Sequence, residues 1–397
     1  MNGTGHVNTV LGIANALKSR NHRVVFATDK SWQGKFENMG IEEELIDLEF
    51  SIIKEFFELA NALYDKHLEI VSKVKPNIII VDNVVPFPGL LAANKLILYV
   101  CSANPLIAID DKRLPPCLLG LPLEDKHEWD KQREILNECR KPLWFEMNKK
   151  LEEYNIPALR EYRIQHVSTN LNIYVYPKLL MDDYLRLCPL KDEWHGLDHS
   201  IRPSQEQFDL RPNFKKEHEK LIYLSMGSFA SNLFGLMSHL IKLLAKCKHK
   251  IIIVTGQNHD KYELPENMWG GPFLPQLQIL PLVDLVITHG GNNTFIESLY
   301  FGKPMIIIPL FGDQPDNAQR AVDAKIGVRF DPFEVEESEL LNAIESLLSD
   351  KEVAERVRKI STQLRASNSM DVLVPKIELI AKQPKIPTVE LLFSVSL

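Results

Sequence analysis

Apolar positions in the first part of the chain follow two alternating spacings. Residues 8–19 carry apolar side chains at helical spacing, and the run 24–27 after them is short and continuously apolar. The run 77–81 is β-branched and lies between a proline and an aspartate, which is typical of a strand buried on both faces. Another strand is predicted at 98–101. Helices and strands in this order indicate βαβ units on a parallel sheet.

The pattern breaks over residues 189–214, where prolines alternate with charged and amide residues, and we interpret this stretch as an interdomain linker. A second αβ series follows it. Its predicted strands are 221–224, 251–255, 282–288 and 305–309, and its predicted helices are 233–245, 293–301, 337–348 and 354–364. Two successive series predict an α/β protein with two similar halves.

Length and charge narrow the classes of function. At 397 residues the chain exceeds one ordinary core, so two domains are expected. A formal net charge of −7 without a basic run argues against nucleic-acid binding. The 5 scattered cysteines predict free thiols in a reducing compartment, not a disulfide framework or a zinc site. With no signal peptide and no long apolar run, we expect a cytoplasmic protein without a membrane anchor.

The segment 287–297 carries the strongest signal for ligand chemistry. A predicted strand ends there in a loop of small residues that leads directly into a helix. Its two glycines let the backbone approach a ligand closely, and the free N–H groups at the helix start favour a phosphate. His289 and Thr294 can add donors, while the Glu297 carboxylate can accept from ribose hydroxyls. Asparagine and threonine at a helix start can also be simple caps, but the full combination predicts phosphate binding.

The segment 273–314 resembles the donor-binding signature of the family 1 UDP-glycosyltransferases. The matching residues are Pro275, Gln276, His289, Gly291, Asn293, Thr294, Glu297, Gly302, Lys303, Pro304, Asp313 and Gln314. The resemblance extends over nearly the whole chain and is greatest to the bacterial macrolide-glycosylating branch and its arthropod relatives. It implies an α/β fold of the GT-B architecture, in which two Rossmann-like doubly wound domains face each other across a cleft. Residues 1–200 would bind the acceptor, 201–375 the UDP-sugar, and 376–397 would form a tail.

The resemblance also implies that the donor is a UDP-sugar, with UDP-glucose as the expected one, and how this donor would be bound. The base would stack on Phe273, where the family usually has tryptophan, and its edge would meet the backbone at Gln276. Glu297 would hold the ribose, and the Asp313–Gln314 pair, which could otherwise be a solvated loop, would hold the sugar. The full set of implied donor-binding residues is Ser228, Phe273, Gln276, His289, Gly291, Asn293, Thr294, Glu297, Asp313 and Gln314.

A histidine near the start of the chain is the candidate catalytic base. His6 follows a glycine loop just ahead of the first predicted helix, and Asp82 ends the predicted strand 77–81. By resemblance, Asp82 orients the imidazole, as in a hydrolase triad, and His6 deprotonates an acceptor hydroxyl so that the sugar is transferred with inversion. No Asp-x-Asp metal motif is present, so neither a metal nor another cofactor is expected besides the UDP-sugar.

The acceptor is expected to be a small lipophilic molecule, such as a xenobiotic to be detoxified or a secondary metabolite. The large apolar residues of the first half that suggest this are Phe50, Phe56, Phe57, Pro86, Phe87, Pro105, Leu106, Trp144, Phe145 and Met147.

Two departures from the family lie in the acceptor half. The first strand of the sheet is expected to be missing, because only two residues precede Gly3. A short deletion is expected between Ala93 and Tyr99, where a Gly-x-Pro turn is usual. These departures motivate an alternative from another class, a non-catalytic binding protein for a UDP-sugar or small ligand. A dinucleotide oxidoreductase is disfavoured, because the third glycine and the acidic residue of that fingerprint are absent.

Overall fold

A computed structural model describes residues 4–46, 58, 60–83, 86–202 and 207–384. In the first half, helices alternate with short parallel strands. The strands are β1 (Val25–Asp29), β2 (Glu42–Ile46), β3 (Ile78–Asp82), β4 (Leu96–Cys101), β5 (Asn172–Val175) and β6 (Trp194–Leu197). The helices are α1 (Thr4–Ser19), α2 (Tyr64–Val74), α3 (Pro88–Ala92), α4 (Leu106–Ile109), α5 (Lys126–Glu153) and α6 (Lys178–Leu187).

The second half repeats this alternation with strands that are more fully buried. Its strands are β7 (Leu221–Ser225), β8 (Lys250–Val254), β9 (Met268–Gly271), β10 (Leu285–Thr288), β11 (Met305–Ile307) and β12 (Gly327–Arg329). Its helices are α7 (Gly227–Ala230), α8 (Phe234–Leu244), α9 (Gln276–Ile279), α10 (Asn292–Tyr300), α11 (Gln314–Asp323), α12 (Glu337–Ser349), α13 (Lys351–Arg365) and α14 (Ser369–Lys382). Single turns of 3-10 helix lie between these elements.

All strand pairs of the described residues are parallel, as the sequence predicts. The second half forms one six-stranded sheet in the order β12-β11-β10-β7-β8-β9. In the first half, β3-β4-β5-β6 form a four-stranded sheet, and β1 pairs only with β2 in a separate sheet. The strands β7, β10 and β11 are buried along their whole length, because helices cover both faces of the sheet.

Three local predictions were wrong. The predicted linker 189–214 contains β6, a four-residue strand without an apolar run that is defined by its pairing with β5. The sequence predicted no turn between Ala93 and Tyr99, but Asn94 makes one with a φ of 49°, a conformation that asparagine tolerates. Helix α1 starts at Thr4, so His6 lies in its first turn and not on a loop ahead of it.

The last described helix, α14, packs back against the first half. The Arg20 side chain, just after α1, donates two hydrogen bonds to Glu378 at 2.7 and 2.8 Å, and the His22 ring lies 2.9 Å from the same carboxylate. At the start of α14, the Ser369 hydroxyl accepts from the backbone N–H of Asp198 at 3.1 Å. Helix α1 therefore lies against α14, and it also contacts α10 of the second half.

Candidate active site

Three polar side chains of the first half meet at the carboxyl ends of its strands. His6 Nδ1 lies 2.7 Å from Asp82 Oδ2. The Ser102 hydroxyl, one residue after β4, lies 2.6 Å from both of these atoms. The side chain of His6 is 48% exposed, whereas Asp82 is 16% exposed, so the ring is accessible while its partner is shielded. The predicted His6–Asp82 pair is therefore brought into contact.

The electrostatics of this cluster favour a proton on the imidazole. Partial desolvation in the cleft lowers the pKa of His6, but the charge of Asp82 and its hydrogen bond outweigh that effect and the pKa is raised overall. Because Nδ1 faces Asp82, Nε2 is the ring nitrogen left to accept a proton from another molecule. The geometry is that of an oriented general base.

In the second half, glycines hold the His289 ring beside the start of α10. Gly227 has a φ of 73°, and a Cβ there would lie 2.5 Å from His289 Cε1. A Cβ at Gly291 would lie 2.4 Å from His289 Nε2. Burial lowers the pKa of His289 to about 4, so the ring is neutral at physiological pH. The ring thus fits between two glycines, next to the free N–H groups of the helix start.

Near this loop, Glu297, the residue predicted to bind the ribose, is buried within a small hydrogen-bond network. The Glu297 side chain is 3% exposed. Its carboxylate accepts from Gln276 Nε2 at 2.5 Å and from Asn293 Nδ2 at 2.8 Å, and it pairs with Arg202 Nη1 at 3.2 Å. The Thr294 hydroxyl lies 3.3 Å from Gln276 Nε2. Four of the predicted donor-binding residues therefore contact one another.

The last two predicted donor-binding residues lie at the start of α11. Asp313 accepts a hydrogen bond from the backbone N–H of Asn104 at 2.7 Å, and burial raises its pKa, although the nearby His6 opposes that shift. Gln314 is 4% exposed. Its Oε1 accepts from the backbone of Leu310 and Phe311 at 2.9 and 3.2 Å, so this oxygen caps its own loop.

Two further predicted residues are exposed. Ser228 is exposed on the single turn α7, next to Gly227. Phe273 is 67% exposed in the loop between β9 and α9. Of the predicted acceptor residues, Leu106 and Met147 are buried in the core, at 2% and 0% exposed. Phe50, Phe56 and Phe57 lie outside the described residues.

The two halves of the site are joined directly by hydrogen bonds, and two of the residues involved, Ser102 and Asn104, were not singled out by the sequence. Asn104 Nδ2 donates to Asn317 Oδ1 at 2.9 Å, in addition to its backbone bond to Asp313. Asn292 Nδ2 donates to the carbonyl oxygens of Ser102 and Val175 at 3.1 and 3.0 Å. Ser102 directly follows a strand, as Asp82 ends one, so the rule that ligands collect at the carboxyl ends of parallel strands could have found it.

Similarity to known proteins covers nearly the whole chain. Residues 200–382 match the family model described as UDP-glucoronosyl and UDP-glucosyl transferase. The chain is 22% identical over 392 residues to the uncharacterized UDP-glucosyltransferase YojK of Bacillus subtilis (strain 168), covering 92% of each chain. It is 25% identical over 400 residues to the NDP-glycosyltransferase YjiC of the same organism, covering 96% of each.

The second half of the chain, residues 200–382, belongs to the UDP-glycosyltransferase family. Among solved structures it is similar to the glycotransferase of kitacinnamycin, with a TM-score of 0.74 and 21% identity over 95% of this chain and 96% of the other. That similarity confirms the predicted GT-B architecture. The transferase is therefore an enzyme whose co-substrate is a nucleotide sugar. No helix of its described residues is both long and apolar enough to cross a membrane.

Proposed function

We propose that this UDP-glycosyltransferase moves glucose from UDP-glucose to a hydroxyl of a small lipophilic acceptor, with inversion at the anomeric carbon. The observation that carries the proposal is the contact between the two clusters. The oriented base, His6, lies near enough to Asp313 for each charge to shift the pKa of the other. In the helix that begins after Asp313, Asn317 Nδ2 donates to the carbonyl oxygen of Gly290, in the loop of the predicted phosphate site, at 2.9 Å. A base and a bound donor sugar would then meet in one cleft.

In the proposed reaction, the acceptor oxygen attacks the anomeric carbon while its proton passes to His6 Nε2. The bond between that carbon and the diphosphate oxygen breaks, and UDP leaves with the electron pair. Asp82 stabilises the imidazolium that forms, and a positioned base of this kind is worth about 10²–10⁴-fold in rate. No step requires an oxidant, a reductant or a second substrate beyond the acceptor.

We assign the donor-binding roles as follows. The backbone N–H groups at the start of α10, around Gly291 and Asn293, donate hydrogen bonds to the diphosphate, together with side-chain donors. Glu297 accepts hydrogen bonds from the ribose hydroxyls, and the exposed ring of Phe273 stacks on the nucleobase. The side chains of His289, Ser228 and Thr294 donate hydrogen bonds to the diphosphate. The nucleobase is bound at Gln276, and the sugar is bound by Asp313 and Gln314. We further propose that residues 1–200 bind the acceptor, that residues 201–375 bind the donor, and that residues 376–397 form a tail.

The test is UDP release by purified protein with UDP-glucose and a panel of phenolic acceptors, in the presence of EDTA. His6→Ala should abolish release, whereas His127→Ala, which changes an 80% exposed histidine on α5, should not. Release that depends on the acceptor, survives EDTA and disappears only in His6→Ala would support the proposal. UDP-glucose binding without release, by protein that melts cooperatively, would instead favour a non-catalytic binding protein, which the family membership does not favour.

A further inference from the structure

The Glu297 carboxylate is engaged by three donors of the chain itself. Oε1 receives Arg202 Nη1 at 3.2 Å and Asn293 Nδ2 at 2.8 Å, while Oε2 receives Gln276 Nε2 at 2.5 Å. Arg202 comes from the segment that joins the two halves and is 20% exposed. Among the described residues, Arg202 is the one cation that forms an ion pair with this buried carboxylate.

The capacity of the carboxylate limits what a nucleotide can add. An ionised carboxylate offers about four acceptor positions, and three are occupied here, two on Oε1 and one on Oε2. One position, on Oε2, stays open for a ligand hydroxyl. A ribose brings two vicinal hydroxyls, but a single one is enough to complete this set.

We infer that Arg202 takes the place of the ribose 2′-hydroxyl as a donor to Glu297, so that the site accepts 2′-deoxyribonucleoside diphosphates nearly as well as ribonucleoside diphosphates. The inference rests on the proposed role of Glu297 in ribose binding. A buried charged acceptor is costly when a donor is missing. With Arg202 in place, a deoxynucleotide leaves no such gap, and without it only the 2′-hydroxyl could fill the position.

UDP and 2′-deoxy-UDP are the probes, because they share base and phosphates and differ only in the 2′-hydroxyl. Their Kd values should be measured by titration calorimetry on the whole protein without acceptor. In the wild type, the two Kd values should agree within about threefold. In Arg202→Ala, UDP binding should persist while 2′-deoxy-UDP binding weakens, so that their ratio rises to about tenfold or more.

Two further variants control the result. Arg202→Lys keeps a cationic donor and should keep the ratio closer to that of the wild type. Arg211→Ala removes an exposed arginine of the same connecting segment and should leave both Kd values unchanged. Because UDP is bound in every variant, its Kd also reports that each protein is folded.

The outcomes separate the inference from the proposed function. A wild type that binds neither nucleotide overturns both. A wild type that binds UDP but rejects 2′-deoxy-UDP by tenfold or more leaves the donor site standing and overturns the role of Arg202. An unchanged ratio in Arg202→Ala also overturns that role, as does an equal loss of both nucleotides in a variant that melts like the wild type.

Discussion

Replacing Asp82 by asparagine tests the catalytic pair most directly. The change preserves the size of the side chain and a hydrogen-bonding group at 2.7 Å from His6 Nδ1, but it removes the negative charge. In the proposed mechanism that charge matters most in the transition state, when the imidazole gains a proton. Asp82→Asn should therefore lower kcat and leave the Kd for UDP unchanged.

The size of the effect follows from the contact. A hydrogen bond between charged partners contributes about 1.5–3 kcal/mol, and about 1.4 kcal/mol corresponds to tenfold in rate. Asp82→Asn should thus lower kcat by about 10- to 100-fold, while His6→Ala should cost about 10²–10⁴-fold. The two losses should not add, because both act through the same imidazole.

The pH profile gives a second, independent reading. His6 must be neutral to accept a proton, so activity is lost as the pH falls through the pKa of His6. Asp82 raises that pKa while desolvation lowers it, so in Asp82→Asn the acid limb of kcat/KM should move to lower pH as its plateau falls. The control is Asp130→Asn, an exposed carboxylate on α5.

Initial rates of UDP release from pH 5 to 9 measure both effects. Full activity in Asp82→Asn, or a reduced plateau whose acid limb stays in place, would refute the assignment of Asp82 as the partner of the base.

Three other changes probe the surroundings. Gly227→Ala should weaken UDP binding by about tenfold or more, measured by calorimetry, because its Cβ would lie 2.5 Å from the His289 ring at a φ of 73°; an unchanged Kd would argue against His289 as a phosphate donor. Ser102→Ala should lower kcat by about tenfold without changing the Kd for UDP, since its hydroxyl lies 2.6 Å from both members of the pair; a change in Kd alone would contradict this. Burial raises the pKa of Asp316 to about 7, so Asp316 keeps its proton in the folded protein at pH values where the unfolded chain, above about pH 4, has lost it. The free energy of unfolding should therefore fall by up to about 4 kcal/mol as the pH rises to 7. Asp316→Asn should remove this pH dependence, seen as a smaller drop in Tm between pH 5 and 8, and parallel curves for the two proteins would disprove it.

Four of the six strands of the second half could be predicted from the sequence, because they are continuous apolar runs. The strands Met268–Gly271 and Gly327–Arg329 lack such a run and were not predicted. Residues 285–288 lead into the loop and helix of the predicted phosphate site as expected. The strand Trp194–Leu197 could not be predicted, because its four residues have no apolar alternation and only the pairing with β5 defines it. The acidic strand Glu42–Ile46 likewise depends on its partner, β1.

The candidate site was predicted where its residues share a local motif or, as for His6 and Asp82, match the family by resemblance, and it was missed where neither applied. His289, Thr294 and Glu297 lie within one strand–loop–helix unit. Asn104 contacts Asp313, which lies 209 residues further along the chain, and nothing in either local sequence indicates that pairing. Arg202 was hidden in a segment interpreted as linker, although it pairs with the predicted ribose ligand.

The packing of α14 against α1 has a consequence for biosynthesis. Helix α1, which carries His6, leaves the ribosome well before one of its packing partners, α14, which begins only at Ser369. At about 5–20 residues per second, the intervening chain takes roughly 20–70 seconds to synthesise. During that interval the apolar side of α1 lacks this cover, and such long-range contacts also form slowly. The proposed catalytic base therefore reaches its final surroundings only after α14 has been synthesised and has packed against α1.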